Sequence, residues 1–98
     1  YIDDAIDGIL ICSEEGIDGE IYHLGVESSI SIKELAIKVG EVSKHKLILK
    51  HDLIRSGSTT QRCPDITKLK NLGYRPKVSL EFGLERCWEW YGKAILPE

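Results

Sequence analysis

RCPDITKLKNLGYRPKVSLEFGLERCWEWY, residues 62–91, is the stretch on which the reading of this chain turns. It opens on Arg62-x-x-Asp65 and runs through Ile66, Leu69 and Leu72 at helical spacing before Gly73. Pro64 and Asp65 are helix-opening residues, and a glycine just past the last apolar position is a usual stop. Beyond Arg75-Pro76 a longer amphipathic helix is expected from Ser79. It would bury Leu80, Leu84, Cys87, Trp88 and Tyr91, the i, i+4, i+7, i+8, i+11 stripe. An arginine just ahead of a helix start suits a phosphate: its planar fork offers paired donors, and the first helical amides add unpaired N–H groups and positive dipole. The other reading is a surface arginine beside an ordinary aspartate cap. Spacing alone does not choose between the two.

The chain before this stretch reads as follows. Ile2, Ile6, Ile9 and Leu10 share one helical face and predict a buried stripe, with Asp3 and Asp4 in the first turn and Gly16 as the stop. Residues 20–26 read as a strand after the Gly16 and Gly19 turn. Ser31-Ile32-Lys33-Glu34 is a capping box, followed by Ile32, Leu35, Ala36, Val39 and Val42 at helical spacing and a Glu34–Lys38 pair. Residues 46–50 read as a second short strand. Strand, helix, strand at this spacing predicts a βαβ unit with parallel strands and a right-handed crossover, hence an α/β fold with several amphipathic helices and a short parallel strand pair.

Residues 51–61 are expected to be a connection, flexible around Ser56-Gly57-Ser58-Thr59-Thr60, without the Gly-Lys-Ser/Thr of a phosphate-binding loop. His51-Asp52 is a pair of adjacent residues rather than a metal site, and no metal is expected. Glu81, Glu85 and Glu89 share a solvated face, Phe82 and Trp90 lie off the main stripe, and Pro97 is expected to end the ordered chain.

Composition bounds the function. With 98 residues, 42% hydrophobic and 30% charged, the chain is one small domain at most, ordinary for a globular protein and unlike a disordered one. A net charge of -3 argues against nucleic acid as the principal partner, and no apolar run reaches membrane-spanning length. Cys12, Cys63 and Cys87 are odd in number and far apart, which suits reduced thiols and a cytoplasmic setting. The chain opens on Tyr1 and has no methionine, so it is expected to be a piece of something longer.

Six segments in order carry a resemblance. They are Tyr1-Ile2-Asp3-Asp4, Ile21-Tyr22-His23-Leu24-Gly25, Ser31 to Ala36, Arg62-x-x-Asp65-Ile66, Leu72-Gly73-Tyr74-x-Pro76, and Ser79-Leu80-x-x-Gly83-Leu84 through Trp90-Tyr91. Together they resemble the C-terminal portion of the extended short-chain dehydrogenases/reductases, the NAD-dependent nucleotide-sugar epimerases and dehydratases. The resemblance implies a single partial domain over 1–98, the nucleotide-sugar-binding portion of a Rossmann-type enzyme, with an N-terminal NAD-binding domain as its missing partner. It implies that Arg62 contacts the substrate diphosphate and Asp65 the ribose, a charge-assisted Arg62 bond being worth about 1.5–3 kcal/mol. His23, where the family usually has asparagine, and Phe82, where it usually has an acid, depart from the pattern.

Catalysis is not expected of these residues alone. The family's Gly-x-x-Gly-x-x-Gly fingerprint is absent, and the positions four beyond Tyr1, Tyr22, Tyr74 and Tyr91 are Ala5, Val26, Val78 and Ile95, none of them lysine. Cys63 beside Arg62 reads either as a reactive thiol or, more simply, as a small loop residue. The leading reading is a substrate-binding enzyme fragment. The alternatives are a stand-alone nucleotide-sugar-binding module and an oligomerisation module. A fragment is also expected to expose apolar surface, on the first helix above all, and to self-associate.

Overall fold

The computed structural model describes residues 1–53 and 56–95. Among the described residues four helices form: α1 (Ile2–Glu15), α2 (Ile32–Ser43), α3 (Thr67–Asn71) and α4 (Leu80–Ile95). Pro97, expected to end the ordered chain, lies outside the described residues.

The α/β expectation is overturned: among the described residues there is no strand, so neither the βαβ unit nor the parallel pair exists. Strands hold only when a neighbour pairs their main chain and a layer covers their apolar side chains. Residues 20–26 and 46–50 lack main-chain pairing, and their apolar side chains are covered only in part, Tyr22 against the core and Leu24 along α1. Ile21 is 70% exposed and Ile48 84%, and no backbone–backbone hydrogen bond joins residues 21–26 to a neighbouring segment. A paired strand needs partners that these residues lack.

The chain divides into two compact units, one of Tyr1–Ser29 with Thr60–Val78, the other of Ile30–Thr59 with Ser79–Glu98. In the first, α1 packs on α3, and the core is Ile66, Leu69 and Tyr74, all three from the stretch quoted at the outset. Ile11, Cys12, Tyr22 and Leu72 pack around them. Gly8 is buried where a side chain would run into Leu24, so its missing Cβ lets residues 20–26 lie close along α1. Helix α3 ends in a Schellman motif: Gly73 N–H donates to Lys70 O at 3.0 Å, and Tyr74 N–H to Leu69 O at 3.2 Å. Gly73 sits at φ +106°, which only glycine adopts cheaply, and the turn delivers Tyr74 into the core beside Leu69. The Arg75 guanidinium then covers the helix end, donating to the carbonyls of Lys70 at 2.9 Å and Tyr74 at 2.7 Å.

Helix α1 presents a different face from the expected one. Asp4 and Gly8 are buried, while Ile2, Ile6, Ile9 and Leu10 are exposed. The Asp4 carboxylate accepts the main-chain N–H of Lys77 at 2.9 Å and of Val78 at 3.0 Å, and Lys77 Nζ pairs with Asp7 at 2.9 Å.

In the second unit α2 packs on α4. The capping box forms as expected: Ser31 Oγ accepts from Glu34 N, and the Glu34 carboxylate accepts from Ser31 N at 3.0 Å. Glu34 is thereby occupied, and Lys38, expected to pair with it, is hydrogen-bonded instead to Glu81 on α4. Ser79 Oγ accepts from Phe82 N at 3.2 Å and caps α4. The expected α4 stripe is only partly covered: Gly83 is buried, Leu84 and Trp88 half-buried, but Leu80, Cys87 and Tyr91 are exposed. The His45 ring meets Trp88 edge-on, centroids 5.6 Å apart.

Candidate functional site

The Arg62–Asp65 segment is held from two sides. Pro64 packs against Gly25 so tightly that a methyl at Gly25 would lie 2.7 Å from Pro64 Cγ. Cys63 is exposed, and its Sγ lies 3.9 Å from the carbonyl of Val26, a weak contact. Gln61 reaches Ser29 at 3.4 Å. Residues 20–29 and 60–65 are thus laid side by side, and Tyr74 adds a bond from its hydroxyl to Gly25 O at 3.4 Å. Burial, with Asp4 and Asp7 nearby, pushes that hydroxyl's pKa up, so it stays a donor.

Asp65 opens α3 through its side chain. Its Oδ1 accepts from Thr67 N at 2.9 Å and from Thr67 Oγ1 at 2.6 Å, while Ile66 occupies the backbone cap position. These two bonds, the hydroxyl's first, hold the carboxyl below its ordinary value. The N-cap position expected for Asp65 is taken instead by Ile66, with no side-chain capping bond, and Asp65, one residue earlier, closes a local turn onto Thr67.

Asp65 also borders a cleft of about 420 Å³ lined by Glu20, Ile21, His23, Thr67 and Lys68. Lys68 Nζ bridges to Glu20 at 2.8 Å across it, which holds Glu20 below the usual carboxylate range. Arg62 is exposed and is not among the described residues lining this cleft. The structure thus brings Asp65 and His23 to one place, with Arg62 three residues earlier along the same segment. Sequence reasoning passed over Glu20 and Lys68.

The second unit holds an apolar cleft of about 340 Å³ lined by Ile37, Gly40, Glu41, His45, Leu47 and Leu49. His45 Nδ1 lies 2.6 Å from Ser43 O, so the ring is steered by a backbone acceptor. Asp52 uses its carboxylate to accept the Leu53 amide at 2.8 Å. Among the described residues no group of three or more histidine, cysteine, aspartate or glutamate side chains is placed to hold a metal ion, and no helix is long and apolar enough to cross a membrane.

The chain is similar to enzymes of nucleotide-sugar metabolism. It is 32% identical over 95 residues to GDP-L-fucose synthase 1 of Arabidopsis thaliana, covering 97% of this chain and 29% of that protein. It is 29% identical over 98 residues to UDP-N-acetyl-alpha-D-glucosaminuronate decarboxylase of Bacillus cytotoxicus, covering 93% of this chain and 30% of the other. With dTDP-D-glucose 4,6-dehydratase of Mus musculus the identity is 27% over 108 residues, 95% of this chain and 28% of the other. The chain spans about three-tenths of the length of the curated relatives it matches. No family model and no solved structure matches it. Homology along nearly the whole chain to these enzymes agrees with the six segments read in the sequence: the relatives are members of the extended short-chain dehydrogenase/reductase family of nucleotide-sugar enzymes, and this chain is homologous to about three-tenths of their length.

Proposed function

We propose that this chain is the substrate-holding portion, a single partial domain, of an NAD-dependent nucleotide-sugar epimerase or dehydratase. Arg62 would bind the diphosphate and Asp65 the ribose of a nucleotide-diphosphate sugar. The observation that carries the reading is the similarity to three enzymes whose names specify GDP, UDP and dTDP sugars, maintained across nearly all of this chain. The physical chemistry supports it. A planar guanidinium exposed beside a short helix is suited to a diphosphate, and an ionised carboxylate is a good acceptor for paired hydroxyls. Both hydrogen bonds from Thr67 to Asp65 fall on Oδ1, so the local turn is compatible with Oδ2 facing a ligand.

The hydride chemistry belongs to other residues. The nine glycines of this chain do not form the Gly-x-x-Gly-x-x-Gly fingerprint, and no tyrosine has a lysine four positions on. The residues present do not fit a dinucleotide, and NAD is assigned to a partner domain of Rossmann type, in a cytoplasmic enzyme. The reading is tested by calorimetric titration of GDP-, UDP- and dTDP-sugars into the protein. Saturable binding of at least one is expected, and the absence of binding by all three contradicts it. An association module is the alternative, favoured by Phe82 and Trp90, both exposed on α4. It predicts that Phe82→Ser with Trp90→Ser lowers the mass measured by light scattering.

A further inference from the structure

A nucleotide runs diphosphate, ribose, base in that order. With the diphosphate at Arg62, which does not line the cleft of the first unit, and the ribose at Asp65, which does, the base falls inside that cleft. Its volume of about 420 Å³ lies in the range of small-molecule sites. Beyond Asp65, three of the residues lining it bear on a ring: Glu20, Ile21 and Lys68. Ile21 is an exposed aliphatic side chain on which a planar base can rest. Glu20 accepts from Ile21 N at 2.9 Å and from Lys68 Nζ at 2.8 Å, both on Oε1, so Oε2 has no partner among the described hydrogen bonds. Lys68 has three ammonium donors, of which Glu20 takes one. Lys68, and after it the Ile21 amide, keeps Glu20 ionised and therefore an acceptor only.

A carboxylate beside an ammonium is complementary to a ring edge that sets adjacent N–H donors next to an acceptor. Among the common bases guanine alone has that edge, with N1–H and N2–H beside O6. Uracil and thymine flank their single N3–H with two carbonyl oxygens, and adenine and cytosine set a ring-nitrogen acceptor beside their amino group. Each of these brings a lone pair against the carboxylate, which repels it. We propose that this cleft reads the base of the nucleotide and selects guanine: Glu20 accepts N1–H and N2–H, and Lys68 donates to O6. This rests on the assignment of Arg62 and Asp65 above and goes beyond it in naming the base and the residues that read it.

Calorimetric titration of GDP, UDP and IDP into the intact chain tests the assignment, IDP being GDP without its 2-amino group. GDP should bind about tenfold more tightly than either of the others, because a site built for an N–H donor rejects the analogue lacking it. Glu20→Gln puts an amide N–H where the base needs an acceptor. It should weaken GDP about tenfold and leave UDP unchanged. Equal affinity for the three nucleotides overturns the base assignment, as does a GDP preference that survives Glu20→Gln, and either result leaves the nucleotide-sugar reading standing. An equal loss of GDP and UDP in Glu20→Gln also overturns it, since Glu20 then only holds the cleft together through Lys68. Binding of none of the three overturns both the base assignment and the reading on which it rests.

Discussion

Asp4, in the first turn of α1, accepts the main-chain N–H of Val78 at 3.0 Å although 74 positions separate them in the chain. Its other oxygen takes the amide of Lys77 at 2.9 Å. A buried carboxylate that satisfies two amides ties the first helix to the segment leaving the core, and neither amide has another partner among the described hydrogen bonds. Asp4→Asn retains one acceptor and orphans one amide, so a loss of about 1–3 kcal/mol is expected in urea unfolding monitored by circular dichroism. Asp3→Asn, on the exposed side of the same turn, should change stability by less than about 0.5 kcal/mol. Equal effects of the two substitutions would remove Asp4 from this role.

Acid should unfold the protein through its bonded carboxylates. Burial alone would raise the Asp4 pKa, but the Lys77 and Val78 amides outweigh it and hold the group below its ordinary 3.8. Thr67 does the same for Asp65, and Lys68, Ser31 and Lys38 hold Glu20, Glu34 and Glu81 below 4.5. Each folded value lies under the unfolded one. The stability is therefore fully present above the unfolded value and is lost as pH falls through the folded one. The thermal midpoint should hold steady from neutrality to about pH 5 and fall progressively below about pH 4, with a shallower fall in Asp4→Asn. A midpoint unchanged down to about pH 2 would contradict the assignment.

Gly25 and Pro64 form the tightest junction in the candidate site. A methyl at Gly25 would sit 2.7 Å from Pro64 Cγ, and a pyrrolidine ring cannot swing aside as a long side chain does. Gly25→Ala is expected to cost about 1–3 kcal/mol, and the double variant with Pro64→Ala should recover part of that loss. Strict additivity of the two substitutions would show that the contact is not what excludes the methyl.

Gly73 turns the chain out of α3 with φ +106°, and nothing lies within 4 Å of the place a Cβ would take. Gly73→Ala therefore tests backbone strain without steric conflict, and about 1–2 kcal/mol of destabilisation is expected from chemical unfolding. Gly57, also at positive φ but in the connection after α2, should tolerate alanine with less effect on the core of the first unit.

How much of this was legible in the sequence varied with the range of the interaction involved. The Ser31–Glu34 capping box, the stop at Gly73 and the start of α4 after Ser79 are local signals, and all three are present. The core residues Ile66 and Leu69 were readable from helical spacing. Pairing was not readable. The short apolar runs at 20–26 and 46–50 look like strands, but whether a strand forms depends on neighbours that a local pattern does not contain. The α1 stripe was misassigned for a related reason. Periodicity identifies which residues share a face and is silent on which face is covered, and here a buried aspartate and a glycine mark the inner side. In the candidate site, Asp65 was legible as a residue of the helix start, though Ile66 takes the cap, while its cleft with Glu20, His23 and Lys68 depends on a fold-back of residues 20–23 that no motif announced.

The most direct measurement of the central claim compares two ligands against one substitution. Titration calorimetry with a nucleoside-diphosphate sugar and with the matching free nucleoside, on the unaltered protein and on Arg62→Ala, separates the diphosphate contact from the rest of the ligand. Loss of a charge-assisted phosphate bond should weaken the sugar nucleotide by about tenfold or more and leave the nucleoside unchanged. Equal affinities of the two proteins for the sugar nucleotide would contradict the assignment of Arg62 and, with it, the reading of this chain as the part that holds the substrate.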